Sequence, residues 1–255
     1  MFYFFLVPYF TKEGFLNMIT NNTSNMRTYS SNLEFTSQSL HLGIILAIVG
    51  GFLDAYTFTC RGGVFANAET GNIVLTGLAL TQHNYIKAFS AFLPILAFIL
   101  GALLSLYIDH HSITISKLYS KQAILLLEAI VLFVIGFIPT TVHNILVTTT
   151  ISFVSSVQIS SFRKLVGAPY STTMCTGNLR SSCESFYIYI AKKDHVSGKK
   201  CIRYITIILF FTLGAILGGL STEYADYKSI WLCSLFLILA IIVFPIDAYR
   251  LNRKS

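Results

Sequence analysis

Charged residues are scarce in this chain. Only 11% of its 255 residues are Asp, Glu, Lys or Arg, whereas a soluble domain has about 25%. Hydrophobic residues make up 54% of the sequence, which is more than a soluble protein of this length can hide in its interior. A bilayer removes that limit, because each apolar stretch of about 20 residues can face lipid. The composition therefore predicts an all-α integral membrane protein in contact with the lipid bilayer.

Several familiar motifs are missing, and each absence argues against a class of protein. The five cysteines form no C-x-x-C pair and are odd in number, which indicates neither a disulfide framework nor a zinc site. There is no H-E-x-x-H, no G-x-S-x-G and no strip of alternating aromatic and basic residues. We therefore predict no cofactor, no metal, no catalytic residue and no nucleic-acid partner. The net charge is +7, and the basic residues lie between the apolar stretches. This pattern is typical of charges that set the orientation of a protein in the membrane.

Six apolar segments approach the length that spans a bilayer. Pro139 and Pro245 are expected to end the third and the sixth. Two further stretches, residues 64–80 and 169–190, are too short or too polar for a simple span, because a charge at the centre of a membrane helix costs about 3 kcal/mol. The six segments are residues 42–58, 88–108, 123–138, 145–161, 204–220 and 230–246.

The distribution of basic residues predicts the orientation. If the two odd stretches dip into the membrane and return, fifteen of the 18 Lys and Arg residues lie on one side, against Arg61, Lys87 and Lys228 on the other. The positive-inside rule then favours six spans with both termini in the cytoplasm. We therefore expect a multi-pass membrane protein in this orientation.

A duplication is the strongest feature of the sequence. Thr70-Gly71-Asn72 recurs as Thr176-Gly177-Asn178 at an offset of 106, the same offset that relates Pro139 to Pro245. The stretch around Gly101 resembles the stretch around Gly214 at an offset of 113, a difference that we ascribe to a basic loop over residues 192–200. Each half would hold three spans and one irregular T-G-N segment, and an odd number of spans inverts the second half.

The duplication divides the chain into four parts. Residues 1–40 are predicted to be a disordered or interfacial tail, followed by a first membrane repeat over residues 41–140. A second membrane repeat over residues 141–248 and a basic cytoplasmic tail over residues 249–255 complete the chain.

The T-G-N segments suggest a binding site. Gly and Pro prevent a continuous helix, and Thr and Asn favour helix N-caps, so a broken or re-entrant half-helix should begin near Thr70 and near Thr176. The free amides at such a start carry a partial positive charge. Two such starts meeting at the midplane would hold a small polar or anionic solute. The alternative is a pair of structural kinks that only let helices pack.

Other polar residues extend the candidate site. Asp54 is expensive at membrane depth unless it is paired or hydrated, and Glu69 either takes part in ion transfer or complements a helix dipole. Arg180 either faces the solute or forms an ion pair with Glu184 one helical turn away. The candidate substrate-binding residues are Asp54, Asn67, Glu69, Thr70, Gly71, Asn72, Gln158, Thr176, Gly177, Asn178 and Arg180.

The same motifs carry a family resemblance. Residues 50–57, the stretch Arg61-Gly62-Gly63-Val64-Phe65-Ala66-Asn67 and both T-G-N motifs resemble the YoaK family of bacterial membrane proteins, which is domain-of-unknown-function family 1275. The resemblance extends over about residues 40–247 and leaves the N-terminal tail outside. It implies an inner-membrane protein of about six spans with no agreed activity.

The leading functional hypothesis is a small-solute or ion transporter, or permease, with its site between the two T-G-N helix starts. It predicts that Asn72→Ala and Asn178→Ala lose transport while the protein stays folded. The alternatives are a membrane-embedded enzyme acting on lipid and a non-transporting assembly protein. Gly214 and Gly218 form a G-x-x-x-G pair that favours close helix packing within the chain or, as the alternative, a homodimer.

Overall fold

The computed structural model describes the backbone of residues 39–111 and 114–252, and the side chains of these ranges except 114–119 and 244–252. The described part is predominantly helical, as the composition predicts. It adds one short hairpin, in which strand β1 (Lys164–Leu165) pairs antiparallel with strand β2 (Ala168–Pro169). The tail predicted over residues 1–40 falls outside the described residues except for its last two positions.

Eight α-helices make up the described ranges. The predicted apolar segments fall largely on α1, α3, α4, α5, α7 and α8, while the two irregular stretches contain the shorter helices α2 and α6. A 3-10 turn, Asp226–Ile230, joins the last two helices. The helices are α1 (Leu40–Cys60), α2 (Glu69–Thr81), α3 (Tyr85–His111), α4 (Thr114–Ile135), α5 (Asn144–Ser161), α6 (Cys175–Lys192), α7 (His195–Ala225) and α8 (Trp231–Asn252).

Pro245 does not end the last helix, contrary to the prediction. Helix α8 continues through it to Asn252, and α3 likewise continues through Pro94. A proline removes one backbone donor from a helix, and neighbouring helices in a membrane bundle allow the helix to continue around it.

The predicted basic loop over residues 192–200 is also wrong, because most of it is helical. Asp194 caps α7 by accepting hydrogen bonds from the amides of Val196 (3.0 Å) and Ser197 (3.2 Å). The Ser197 hydroxyl also donates to this carboxylate, and these bonds hold the pKa of Asp194 below its usual value. Helix α6 has 18 residues and α2 has 13, so the larger offset between the stretches around Gly101 and Gly214 arises largely within helices.

Three helical segments of the described chain are long and apolar enough to cross a membrane. They are α1, α3 and His195–Val243, which contains both α7 and most of α8. Helix α5 is less apolar because eight of its 18 residues are Ser or Thr. The structure thus agrees with an all-helical membrane protein.

The helices pack in a regular pattern. Helix α1 lies mainly along α7, and α3 lies mainly along α5. Helix α2 packs on α3, α6 packs on α7, and α4 packs on α8. The largest apolar core joins Phe52 of α1 and Leu132 of α4 to Ile151 of α5 and Leu237 of α8.

Glycines allow the closest helix contacts. A Cβ atom at Gly214 would collide with the Ile48 carbonyl oxygen of α1, and one at Gly218 would lie 2.7 Å from the Phe52 carbonyl oxygen. In the same way, a Cβ atom at Gly101 of α3 would collide with α5. The G-x-x-x-G pair is therefore occupied by packing within the chain.

Candidate functional site

Helices α2 and α6 begin with nearly the same backbone geometry. The residue before α2, Ala68, has φ −85° and ψ 67°, and the residue before α6, Met174, has φ −87° and ψ 73°. Neither start has a side-chain cap, so the predicted capping role of Thr and Asn is wrong. Thr70 and Thr176 lie within the first turns and are exposed.

The glycines of the T-G-N motifs differ in backbone conformation from the glycines that precede them. Positive φ occurs at Gly62, Gly63 and Gly167 in the preceding turns, but not at Gly71 or at the second motif's glycine. A Cβ atom at Gly71 would lie 2.7 Å from the Phe65 ring, so a glycine is needed there for close packing.

The two motif asparagines hold the loops that lead into α2 and α6. Asn72 accepts from the Phe65 amide (2.9 Å) and donates to the Phe65 carbonyl (2.8 Å). Asn178 accepts from the Ser171 amide (3.3 Å) and donates to the Ser171 carbonyl (2.6 Å). Both side chains are buried, and each clamps the residue seven positions earlier. The amides therefore fix backbone, which is a structural role that the sequence did not reveal.

The side chain of Asp54, which belongs to α1, contacts the backbone just before α2. Its Oδ1 accepts from the backbone amides of Asn67 (2.7 Å) and Ala68 (3.3 Å), immediately before the helix. A carboxylate at this position is stabilised by the helix dipole. Asp54, from the neighbouring helix α1, thus adds a second acidic group at this helix start, beside Glu69 in the first turn of α2.

Glu69 of α2 lies where this helix meets α5 and α3. One carboxylate oxygen accepts from the Asn72 side-chain amide (3.0 Å), and the other accepts from the Ser152 hydroxyl of α5 (3.0 Å). The same hydroxyl lies 2.9 Å from the Pro94 carbonyl oxygen of α3. Because a hydroxyl has one proton, it donates to one of these two acceptors at a time.

The loops before α2 and α6 meet at the middle of α1. Asn67, before α2, donates its side-chain amide to the Gly50 carbonyl (3.3 Å). Thr173, before α6, packs so closely on Gly50 that a Cβ atom there would lie 2.5 Å from its methyl group. Asp54 is one helical turn further along α1. The approaches to both helix starts therefore converge on one stretch of α1.

Four oxygen atoms of these loops and of α1 are buried without a hydrogen-bond partner among the described residues. They are Asp54 Oδ2, Asn67 Oδ1, Thr172 Oγ1 and Thr173 Oγ1. Each side chain is at most 7% exposed. Buried polar atoms are nearly always paired, so these four oxygens keep hydrogen-bonding capacity that the described residues do not use.

The remaining candidates are not joined to this group. Gln158 is buried and its side-chain nitrogen lacks a partner. Gly177 and Arg180 lie exposed on α6, as does Glu184. Neither Arg180 nor Glu184 makes a hydrogen bond or ion pair within the described ranges, so the ion pair weighed from the sequence does not form.

Sequence reasoning missed the role of Arg61, which it counted only as an external charge. Arg61 is 1% exposed. Its guanidinium donates to the Ile138 carbonyl (2.6 Å), the Tyr56 hydroxyl (2.9 Å) and the Pro139 carbonyl (3.3 Å). It also lies over the Tyr227 ring. The end of α1, the α4–α5 connection and the 3-10 turn are therefore joined by one buried cation.

Comparison with known proteins agrees with the extent of this helical bundle. The family model described as Protein of unknown function (DUF1275) matches residues 42–243. The UPF0700 transmembrane protein YoaK of Bacillus subtilis (strain 168) is 28% identical over 197 residues, which are 73% of this chain and 85% of that protein. No solved structure matches the chain.

Proposed function

The chain belongs to the family of proteins of unknown function DUF1275, and on that premise we propose that it is a permease for a small polar solute or ion. The site lies between the starts of α2 and α6. The observation that carries the proposal is the convergence of both loops on Gly50, together with the four buried, unpartnered oxygens of these loops and of α1. Irregular backbone survives at membrane depth only where it is buried in protein or lines a wet cavity.

A duplicated architecture is part of the proposal, and the packing supports it. Exchanging the halves exchanges α1 with α5, α2 with α6, α3 with α7 and α4 with α8. The contacts of α1 with α7 then become those of α5 with α3, and the contacts of α2 with α3 become those of α6 with α7. The two asparagine clamps and the equal angles at Ala68 and Met174 obey the same relation.

The proposed topology has six spans, with α2 and α6 as half-helices that enter from opposite faces. Arg61 supports this arrangement, because it joins three connections that the topology puts on the external face. Both termini are then cytoplasmic, in the plasma membrane. Reporter fusions after residues 83, 142 and 193 test the topology, since the first two should report an external position and the third a cytoplasmic one.

The chemistry of the site favours a solute that donates hydrogen bonds. A carboxylate oxygen and an amide oxygen only accept, and the two threonine hydroxyls accept or donate. The amides of Asn67 and Ala68, just before α2, already donate to the Asp54 carboxylate, and the negative charge of that carboxylate disfavours an anion at this helix start. We therefore favour a cation or a neutral hydroxyl- or amine-bearing solute over the anionic solute expected from helix dipoles alone.

Uptake into proteoliposomes tests the function. Radiolabelled methylammonium, choline, sodium, glycerol and acetate serve as probes, with protein-free vesicles as the blank. We expect a cationic or neutral probe to enter faster with the protein and Asp54→Asn to lower that uptake at least tenfold. Asparagine keeps an oxygen for the Asn67 amide but removes the charge, so the fold should persist.

Glu223→Gln is the matched control, because this carboxylate is exposed on α7 and distant in sequence from the site. Its uptake should equal that of the unmutated protein. The proposal fails if no probe enters, or if Asp54→Asn transports normally. Lipid turnover by the purified protein that is lost in Asp54→Asn would instead favour the alternative of a membrane-embedded enzyme acting on lipid.

A further inference from the structure

A second buried carboxyl group lies away from the candidate site. Glu128 of α4 is 1% exposed and belongs to neither T-G-N segment. Its Oε1 accepts one hydrogen bond, from the Ser155 hydroxyl of α5 (3.3 Å), and its Oε2 has no partner. The neighbouring turns of α4 bring Leu125 and Leu132 into the apolar core, and both are fully buried. This carboxyl group is therefore surrounded mainly by hydrocarbon.

Among the residues whose side chains are described, no cation contacts Glu128, and the Ser155 hydroxyl gives the one hydrogen bond to it. Helix α5 contains no titratable side chain, and the group that faces Glu128 from α8 is the buried Cys233 thiol. The 3-10 turn contributes Asp226 and Lys228, both of which are exposed. A lone buried carboxylate is costly in a medium of low dielectric constant unless it is paired with a cation.

The ligands available decide what Glu128 can bind. A hard metal cation requires about six oxygen ligands. Beyond its own carboxylate, the described residues offer Glu128 only the Ser155 hydroxyl within hydrogen-bonding distance. A proton needs no further ligand, because it forms a covalent O–H bond and leaves a neutral group. The donor set therefore fits a proton and does not fit a metal ion.

Helix α5 connects Glu128 to the candidate site. Ser155 contacts Glu128, and Ser152, one turn earlier on the same helix, contacts Glu69. Residues three apart lie on the same helix face. When Glu128 is neutral its O–H can donate to Ser155, and when it is ionised it can only accept. A change of charge at Glu128 therefore acts on the helix that holds Glu69.

We propose that Glu128 is an intramembrane proton-binding site that couples the permease to the proton gradient. The coupling rests on the proposed function, whereas the binding of the proton does not. The group is neutral in the arrangement described here and releases its proton when α4, α5 and α8 separate enough to admit water. Intramembrane carboxyl groups of this kind mark proton relays in pumps and transporters.

Infrared spectroscopy of the reconstituted protein tests proton binding without any solute. We expect a protonated-carboxyl C=O band at pH 7 that is lost in Glu128→Gln, kept in Glu223→Gln and shifted after transfer to D2O. A spectrum unchanged by Glu128→Gln would overturn the inference, because the group would then be ionised. A band that never shifts in D2O would also overturn it, because the group would be a sealed structural acid.

Two further measurements follow: the first tests proton binding without a variant and without transport, and the second tests coupling through transport. Dicyclohexylcarbodiimide attacks protonated carboxyl groups in apolar surroundings, so mass spectrometry of the unmutated protein should find an adduct on Glu128, and its absence counts against the proposal.

For a probe that is transported, one coupled proton raises accumulation about tenfold per imposed pH unit, and Glu128→Gln should abolish that response. Accumulation independent of the pH gradient in the unmutated protein refutes coupling. A protein that moves no probe refutes the permease and leaves the infrared result standing.

Discussion

The asparagine clamps give the sharpest stability prediction. Asn72→Ala removes two bonds to the Phe65 backbone and one to Glu69. Each hydrogen bond contributes about 1 kcal/mol net, and a buried polar group left unpaired costs about 1–3 kcal/mol. We expect the free energy of unfolding to fall by about 2–4 kcal/mol. Asn178→Ala loses two bonds, so its decrease should be similar or slightly smaller. We therefore expect both variants to be less stable than the unmutated protein, whereas the sequence alone suggested that they would keep their fold.

The assay is reversible unfolding in mixed detergent micelles, in which a denaturing detergent is titrated against helical circular dichroism. Thr70→Ala is the control, because Thr70 is exposed in the first turn of α2. Exposed substitutions of this kind change stability by less than about 0.5 kcal/mol. The reasoning is refuted if Asn72→Ala and Asn178→Ala unfold at the same detergent fraction as Thr70→Ala.

Three further predictions concern the rest of the bundle. Arg61→Lys cannot reproduce the forked contacts of the guanidinium, so the free energy of unfolding should fall by about 3 kcal/mol in the same titration. Gly214→Ala should lower the thermal midpoint, because its Cβ would meet the Ile48 carbonyl, whereas Gly219→Ala has open space and should leave it unchanged. The lowered pKa of Asp194 means that its stabilising contribution is present above the ordinary carboxyl range and is lost as pH falls through the folded value. Thermal midpoints measured on acidification should therefore decline more steeply for the unmutated protein than for Asp194→Asn.

The helices could be predicted from the sequence because their signals are local. Long apolar runs mark the segments that became α1, α3, α4, α5, α7 and α8. The recurrence of T-G-N marked two helix starts, and α2 and α6 begin at Glu69 and Cys175, one residue before each motif. Pro245 misled the prediction, since a proline stops a helix in water more reliably than inside a bundle.

The site was only partly predictable, because its contacts join residues that are distant in sequence. Asp54 could be recognised as an expensive buried charge, but its amide partners depend on how the chain returns to α1. Thr173 carries no unusual sequence signal, and it matters only because it packs against Gly50. The burial of Arg61 could not be predicted, because its carbonyl acceptors come from the α4–α5 connection, which is distant in sequence.

The accessibility of Thr173 to water tests the central claim most directly. Thr173→Cys, in a variant whose five native cysteines are replaced, is treated in open membrane fragments, where both faces are accessible, with a small, charged methanethiosulfonate. Tyr224→Cys, at a position 88% exposed, serves as the reactive control. The account predicts that Thr173→Cys is modified, more slowly than the control. A thiol at position 173 that stays unmodified while the control reacts completely would show dry packing where the two half-helices meet, and would contradict the account.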